Sequence, residues 1–91
     1  MDLEDIFSSK ARVKILKLLY MLGSLNVSEI ARRLKLNYAS TAKHLSILEK
    51  ENMLQVHIYG RVKMYRLREG TPKTKAVVSL IEAWEQQNNT K

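Results

Sequence analysis

Apolar residues recur every three or four positions through the first half of the chain, which is the spacing of one face of an α-helix. The first such helix is predicted to begin after Ser8 or Ser9, either of which can cap it, and to end at Gly23. Residues 2–7 can add one helical turn before it. Because two sides of the helix are apolar, we expect it to be covered on both. One side carries Ile15, Leu16, Leu19 and Leu22, and the other carries Val13, Leu18, Tyr20 and Met21.

Two further helical repeats follow with only a tight turn between them. Asn26 can cap the second helix and Asn37 the third, which runs to about Glu51, while Lys35 and Leu36 form the connection. Two short amphipathic helices joined this closely predict a helix-turn-helix. The apolar positions are Val27, Ile30, Ala31 and Leu34 in the second helix and Thr41, His44, Leu45 and Leu48 in the third.

The hydrophobic period changes from helical to alternating after Asn52, which occupies a position where a left-handed residue is usual. Apolar residues alternate with others over residues 54–59, and residues 62–67 are rich in β-formers. The pattern predicts a hairpin whose tip, at Gly60 and Arg61, is basic.

A last helix is predicted over residues 71–87, with Thr71 as its cap and Pro72 in its first turn, followed by a frayed polar tail over 88–91. The chain is therefore predicted to form one domain, residues 1–91, with a core over residues 8–68. Its fold class is mainly α with a small β-hairpin, a winged helix-turn-helix in the order α-α-α-β-β-α. The last helix carries the apolar stripe Val77, Leu80, Ile81 and Trp84.

The charge of the chain is concentrated in its middle. Of the net +7, residues 1–9 contribute −3, residues 10–68 contribute +10 and residues 69–91 contribute 0. Such a distribution is expected of a segment that binds a polyanion, although a solvated basic surface that aids solubility has the same composition. Charge alone leaves both interpretations open.

The residues that carry most enzyme and metal chemistry are scarce. The chain has no cysteine and two histidines, His44 on an apolar helical stripe and His57 on the polar side of a strand. A zinc site needs about four ligands, so we predict no metal site, with carboxylates at Glu82 or Glu85 as the remaining alternative. Paired carboxylates, a Ser-His-acid set and a glycine-rich phosphate loop are also missing. We therefore predict no catalytic residue and no cofactor.

Membrane and secretory segments are not expected either. The longest apolar stretch, residues 15–22, is far shorter than a bilayer requires, and the acidic amino terminus does not suit a signal peptide. We expect a cytoplasmic, nucleoid-associated protein with no membrane partner.

Two motifs resemble one known family. The His-Leu-x-x-Leu-Glu sequence of residues 44–49 and the Gly-Arg-x-x-x-Tyr-x-Leu sequence of residues 60–67 occur together in order and spacing. With the helices at 8–22 and 27–34, the chain is similar over about residues 6–68 to the ArsR-type winged-helix transcription regulators.

The resemblance implies a homodimer that binds operator DNA, with residues 37–51 in the major groove and the wing, residues 59–63, on the backbone. Lys35 and Asn52 stand where the family commonly has glycine. Metal-sensing members carry cysteine pairs or His and Asp clusters, so the chain resembles a member that does not sense metal.

The side of the third helix opposite its apolar stripe is expected to face DNA. Ala39 and Ala42 can meet a thymine methyl group, and Lys43 can reach guanine or a phosphate. The alternative is a face that is merely solvated. The predicted groove residues are Asn37, Tyr38, Ala39, Ser40, Ala42, Lys43 and Ser46.

Backbone contacts are predicted from two other elements. Ser28, Arg32 and Arg33 of the second helix would cross the phosphates, which adds affinity without sequence information. Arg61 and Lys63 are either phosphate contacts or part of a plain exposed turn.

The carboxy-terminal stripe either folds back on its own domain or faces a partner. The first helix needs a second cover, and a last helix packed with its symmetry mate supplies it, as the resemblance also implies. We therefore predict that Val77, Leu80, Ile81 and Trp84 form a two-fold dimer interface.

The leading function is a dimeric, sequence-selective transcription regulator that binds double-stranded DNA. One alternative is an architectural protein that coats DNA through shape and charge. Another is a winged helix used for protein contacts, which the basic middle segment disfavours. No feature of the sequence identifies a small-molecule effector.

Overall fold

A computed structural model describes residues 1–89, and within them the predicted order of the main helices and the hairpin is confirmed. Residues 88 and 89, assigned to the frayed tail, continue the last helix, and residues 90 and 91 lie outside the described part. The elements are α1 (Leu3–Phe7), α2 (Lys10–Leu22), β1 (Leu25–Asn26), α3 (Val27–Leu34), α4 (Tyr38–Lys50), β2 (Leu54–Tyr59), β3 (Val62–Leu67) and α5 (Pro72–Asn89).

The helices begin where the predicted caps lie. The side-chain oxygens of Ser9, Asn26 and Asn37 each accept a hydrogen bond from the backbone N–H three residues later, at 3.2, 2.8 and 2.7 Å. Lys35 ends α3 with φ 57°, and Asn52 follows α4 with φ 62°. A left-handed lysine costs about 1–2 kcal/mol, a cost that asparagine bears more easily. Side-chain caps therefore determine where α3 and α4 begin, whereas α3 ends at a lysine held in an unfavourable conformation.

The sheet has three strands rather than the predicted two. β3 lies between β2 and β1, with Leu25 paired to Tyr65 and Asn26 paired to Met64 in an antiparallel register. A strand of two residues has no alternation that sequence analysis can detect. β1 becomes visible only when the chain before α3 meets β3.

The wing is the hairpin of β2 and β3, which pair from Leu54 opposite Leu67 to Tyr59 opposite Val62. Gly60 has φ 61°, and positive φ at the first of two central residues suits a type II′ turn. The basic tip predicted from the sequence is confirmed at this turn.

The core is built around α2, and the predicted second cover of that helix is partial. Leu18 and Tyr20 pack against the core, whereas Met21 is 68% exposed and Leu22, expected on the core side, is 47% exposed. Both lie in the last turn of α2, where the chain departs at Gly23. The fully buried apolar side chains are Ile15, Leu16, Leu19, Ile30, Leu45, Leu48 and Leu54.

α5 packs into the same core through one side only. Thr74, Val77 and Ile81 are buried, whereas Leu80 is 52% and Trp84 65% exposed. The stripe predicted as a dimer interface is thus divided. Val77 and Ile81 stabilise their own protomer, and Leu80 and Trp84 remain uncovered within it.

Candidate nucleic-acid interface

α4 presents one buried and one open side, as its sequence pattern predicts. Thr41, Leu45 and Leu48 are buried, and the Thr41 hydroxyl donates to the Asn37 carbonyl oxygen at 2.8 Å. This bond satisfies the hydroxyl of Thr41, the polar side chain of α4 that is fully buried. Among the predicted groove residues, Asn37, Tyr38, Ala39, Ser40 and Lys43 are exposed, while Ala42 and Ser46 are half-buried.

A groove of about 330 Å³ runs between the amino ends of α3 and α4 on one side and the wing on the other; we call it the wing groove. It brings together five residues predicted to bind DNA, from three separate elements, and adds four that the sequence analysis missed. The predicted residues are Ser28, Tyr38, Ala42, Arg61 and Lys63, and the added ones are Asn26, Val27, Val62 and Tyr65.

One of the missed residues had a detectable signal. Side chains alternate between the two faces of a strand, so Tyr65 lies on the same face of β3 as Lys63. Applying this alternation to the wing would have added Tyr65 to the candidate site. Asn26 and Val27 belong to β1 and the first turn of α3, and only tertiary structure brings them to the wing.

The wing groove is electropositive. Arg61 and Lys63 form no ion pair within residues 1–89, and Lys43 of α4 has none there either. The first N–H groups of α3 and the positive end of its dipole also lie beside Ser28. Unpaired cations and the positive end of a helix dipole together suit an anionic ligand.

Arg32 and Arg33, predicted to contact phosphates, form ion pairs within α3. Both pair with the Glu29 carboxylate, at 2.9 and 3.2 Å, and neither lines the wing groove. The hydrogen bond from Arg32 is the main reason why the pKa of Glu29 is lowered. Exposed ion pairs of this kind are weak, so the two arginines remain available to exchange partners.

His44 is half-buried at the edge of the core and is hydrogen-bonded. The Arg12 guanidinium lies 3.1 Å from its Nδ1, and the same side chain donates to the carbonyl oxygens of Asp5 and Ile6. Because a guanidinium only donates, Nδ1 accepts and the ring is neutral, with its proton on Nε2. Burial, and then the charges of Arg12 and Lys43, lower the pKa of His44. The contact ties α1 and α2 to α4.

This pKa shift predicts loss of stability as the pH falls. A histidine whose pKa is lower in the folded than in the unfolded chain stabilises the fold above about pH 6.5, and that contribution is lost below it. We expect the urea midpoint to decrease from pH 7.5 to 5.5, and the decrease to be smaller in His44→Gln, which keeps an acceptor but does not titrate. Equal slopes for the two proteins at one protein concentration would contradict this role.

A second surface, formed by α1, α2 and α5, is mostly apolar. Two adjoining depressions between α1, α2 and α5, of about 420 and 260 Å³, share Phe7, Val77 and Leu80. Exposed Trp84 borders the smaller one. We call this the α5 surface. Leu80 and Trp84 on this surface are not covered by their own chain.

The carboxylates considered as possible metal ligands, Glu82 and Glu85, bind other side chains instead. Glu82 accepts a hydrogen bond from the Tyr20 hydroxyl at 2.8 Å, and Glu85 pairs with Lys17 at 2.8 Å. Residues 1–89 contain no cluster of three His, Asp or Glu side chains. None of the helices in that range is long and apolar enough to cross a bilayer.

Comparison with known proteins identifies the family. No curated protein matches the sequence. The structure resembles HlyU from Vibrio cholerae N16961 (23% identity, TM-score 0.76, covering 90% of this chain and 86% of that one). It also resembles the transcriptional repressor PagR of Bacillus anthracis (26%, 0.70, 85% and 85%). A third neighbour is Mb0332 from Mycobacterium bovis, described as a homodimeric winged helix-turn-helix DNA-binding domain. It has 18% identity and a TM-score of 0.73, and the match covers 96% of this chain and 77% of that one.

These neighbours share the fold, which confirms the winged helix-turn-helix predicted from the sequence. The model of the bacterial regulatory proteins of the arsR family matches residues 9–56, which is more than half of the chain. The match includes α2, the whole helix-turn-helix and the first part of the wing. The chain therefore belongs to the arsR family of winged-helix DNA-binding transcription regulators.

Proposed function

We propose that the protein is a dimeric, sequence-selective regulator that inserts α4 into the major groove of double-stranded DNA and sets its wing on the backbone. The observation that carries the proposal is the wing groove. Its walls hold unpaired Arg61 and Lys63 on one side and the amino end of α3 at Ser28 on the other. A phosphodiester strand is the polyanion that such a groove suits.

Base contacts would come from the exposed side of α4. Ala39 and Ser40 are small, so the helix can approach base edges closely, and Lys43 reaches further out. Ala42 and Ser46 are half-buried, and we assign them smaller contacts at the edge of this face. Asn37 and Tyr38, at the helix start, lie where recognition helices meet DNA.

The α5 surface would form the interface of a two-fold dimer. Leu80 and Trp84 are exposed beside the two apolar depressions, and a second copy of the same surface can cover them. A neighbour of the same fold is described as homodimeric. Two recognition helices would then read half-sites about 34–36 Å apart.

We treat residues 1–91 as one DNA-binding domain. The buried side of α5, at Thr74, Val77 and Ile81, joins the core of the preceding elements, so α5 contributes to the fold as well as to the proposed interface. The expected site of action is the cytoplasm, on chromosomal DNA.

Two substitutions test how the proposed roles are divided. Lys43→Ala should reduce affinity for the preferred sequence by about 1–3 kcal/mol per half-site and change the preference if Lys43 reaches a base. Arg61→Ala should weaken binding to all sequences alike. It should also reduce the salt slope, which is the slope of log affinity against log salt concentration, by about one per protomer. Preferred sites would come from selection in a random DNA pool, and both variants would be titrated on a preferred and a random duplex.

If both variants lose affinity equally on the two duplexes, α4 does not read sequence through Lys43. If the wild-type protein itself shows no preference between them, the architectural function becomes the better account. No binding to either duplex at low salt would contradict both functions.

A further inference from the structure

Tyr65 occupies the centre of the sheet and borders the wing groove. Its strand lies between the other two, and the residue pairs with Leu25 of β1 and Val56 of β2. The side chain is almost wholly buried, with 6% of the residue exposed, yet it lines the groove. A side chain fixed between two strands has little rotational freedom left to lose when a ligand binds.

The face of β3 that carries Tyr65 changes from charged to apolar along its length. Lys63, Tyr65 and Leu67 lie on one face, Lys63 exposed and Leu67 buried in the core. Tyrosine suits such a boundary because its ring is apolar and its tip is polar. The middle position therefore joins the hydrophobic core to the basic groove.

The Tyr65 hydroxyl lacks a partner within the described chain. No group in residues 1–89 accepts or donates a hydrogen bond to it. None of the fully enclosed side-chain nitrogen and oxygen atoms of these residues is unsatisfied, so this hydroxyl must retain contact with solvent. A tyrosine with a buried ring usually gives its hydroxyl a partner. The Tyr65 hydroxyl is instead open to water, and a bound ligand can replace that water.

We propose that the Tyr65 hydroxyl donates a hydrogen bond to a backbone phosphate of the DNA strand lying in the wing groove. The proposal rests on the DNA-binding function proposed above and adds a neutral contact between the cations of the wing and the amino end of α3. Lys63, two residues away on the same face, would bring the same phosphate strand close through its charge.

The protonation state of Tyr65 suits this role. Burial raises the pKa of its phenol, and Glu49 and Tyr38 raise it further, so the group keeps its proton at neutral pH. A protonated hydroxyl is a donor, and phosphate oxygens only accept. Since the contact is neutral on the protein side, it adds affinity without displacing a counterion.

The test is Tyr65→Phe, which keeps the buried ring and removes only the hydroxyl. We expect affinity for duplex DNA to fall at least about 10-fold on both preferred and random sequences, because hydrogen bonds to charged groups are worth about that much or more. The salt slope should stay at the wild-type value, unlike that of Arg61→Ala. Tyr20→Phe is the matched control, since its hydroxyl bonds Glu82 away from the groove and its loss should leave affinity unchanged.

Thermal unfolding of each variant checks that the fold is retained. A double-mutant cycle with duplexes that carry one neutral methylphosphonate in the half-site then locates the acceptor. At one position, the methylphosphonate should weaken DNA binding by the wild-type protein and have little effect on DNA binding by Tyr65→Phe. Wild-type affinity in Tyr65→Phe would overturn this inference while leaving the DNA-binding function intact. A wild-type protein that binds no duplex would overturn both.

Discussion

Replacing Trp84 by alanine is expected to weaken association of two copies by about 10⁴- to 10⁷-fold. A buried Trp→Ala change costs about 3–5 kcal/mol, and a two-fold interface contains two such sites. Trp84 is 65% exposed within one protomer, so its truncation removes little from the protomer's own core. The loss should therefore appear mainly in association. Sedimentation velocity of both proteins at matched micromolar concentrations measures it.

Tyr59→Ala provides the control for this substitution. Tyr59 is also 65% exposed and aromatic, but it lies at the end of β2 in the wing, away from the α5 surface. Its replacement should leave the sedimentation coefficient unchanged. A wild-type monomer, or a Trp84→Ala protein that still sediments as a dimer, would show that the α5 surface is not a dimer interface.

Loss of the dimer should also reduce DNA binding. One recognition helix reads one half-site, so a monomer loses the second set of contacts on a palindromic site. On a duplex with a single half-site, we expect a Trp84→Ala protomer to have the same affinity as a wild-type protomer. On a palindrome, Trp84→Ala should lose the higher affinity that the wild-type dimer has. Retained preference for the palindrome would argue that another surface joins the two copies.

The second large effect is the dependence of DNA affinity on salt. A dimer that makes about 6–10 phosphate contacts should lose about 10³- to 10⁵-fold in affinity between about 50 and 200 mM salt. The contacts would come from Arg61 and Lys63 in the wing groove and from Arg32 and Arg33 once they exchange Glu29 for phosphate. Fluorescence anisotropy over a series of salt concentrations gives the slope directly.

Lys75→Ala is the charge-matched control for this measurement. Lys75 is exposed on α5 and lies outside the wing groove, so removing its charge should not change the salt slope. A flat salt response of the wild-type protein would contradict the DNA-binding function. If Lys75→Ala and Arg61→Ala lower the salt slope equally, DNA affinity depends on the total charge of the protein and not on the position of that charge in the wing groove.

The sequence alone determined the local features of the fold. Ser9, Asn26 and Asn37 start helices because their side chains satisfy free N–H groups nearby in the chain. The alternating residues of the hairpin and the glycine at its tip likewise determine the wing and its turn. These are interactions within a few residues, and they leave a direct signal in residue type and spacing. The family motifs rest on the same stretches.

Tertiary structure decided which faces meet. The stripe on α5 has one helical period, yet Val77 and Ile81 enter the core while Leu80 and Trp84 stay outside. Periodicity defines an apolar face but not its partner, and a stripe wide enough for two neighbours can be shared between them. The division depends on which side of α5 packs on the core of the preceding elements, and no local pattern records that choice.

The polar contacts of the candidate site were decided in the same way. Arg12 bonds His44, 32 positions along the chain, and the wing groove unites the start of α3 with Tyr65 of β3. Residue type shows that a side chain can donate, accept or carry charge. Which atom it meets depends on long-range packing, because every surface arginine or tyrosine has many competing partners in water. Only the assembled core selects among these partners, and in the described chain it leaves the Tyr65 hydroxyl without one.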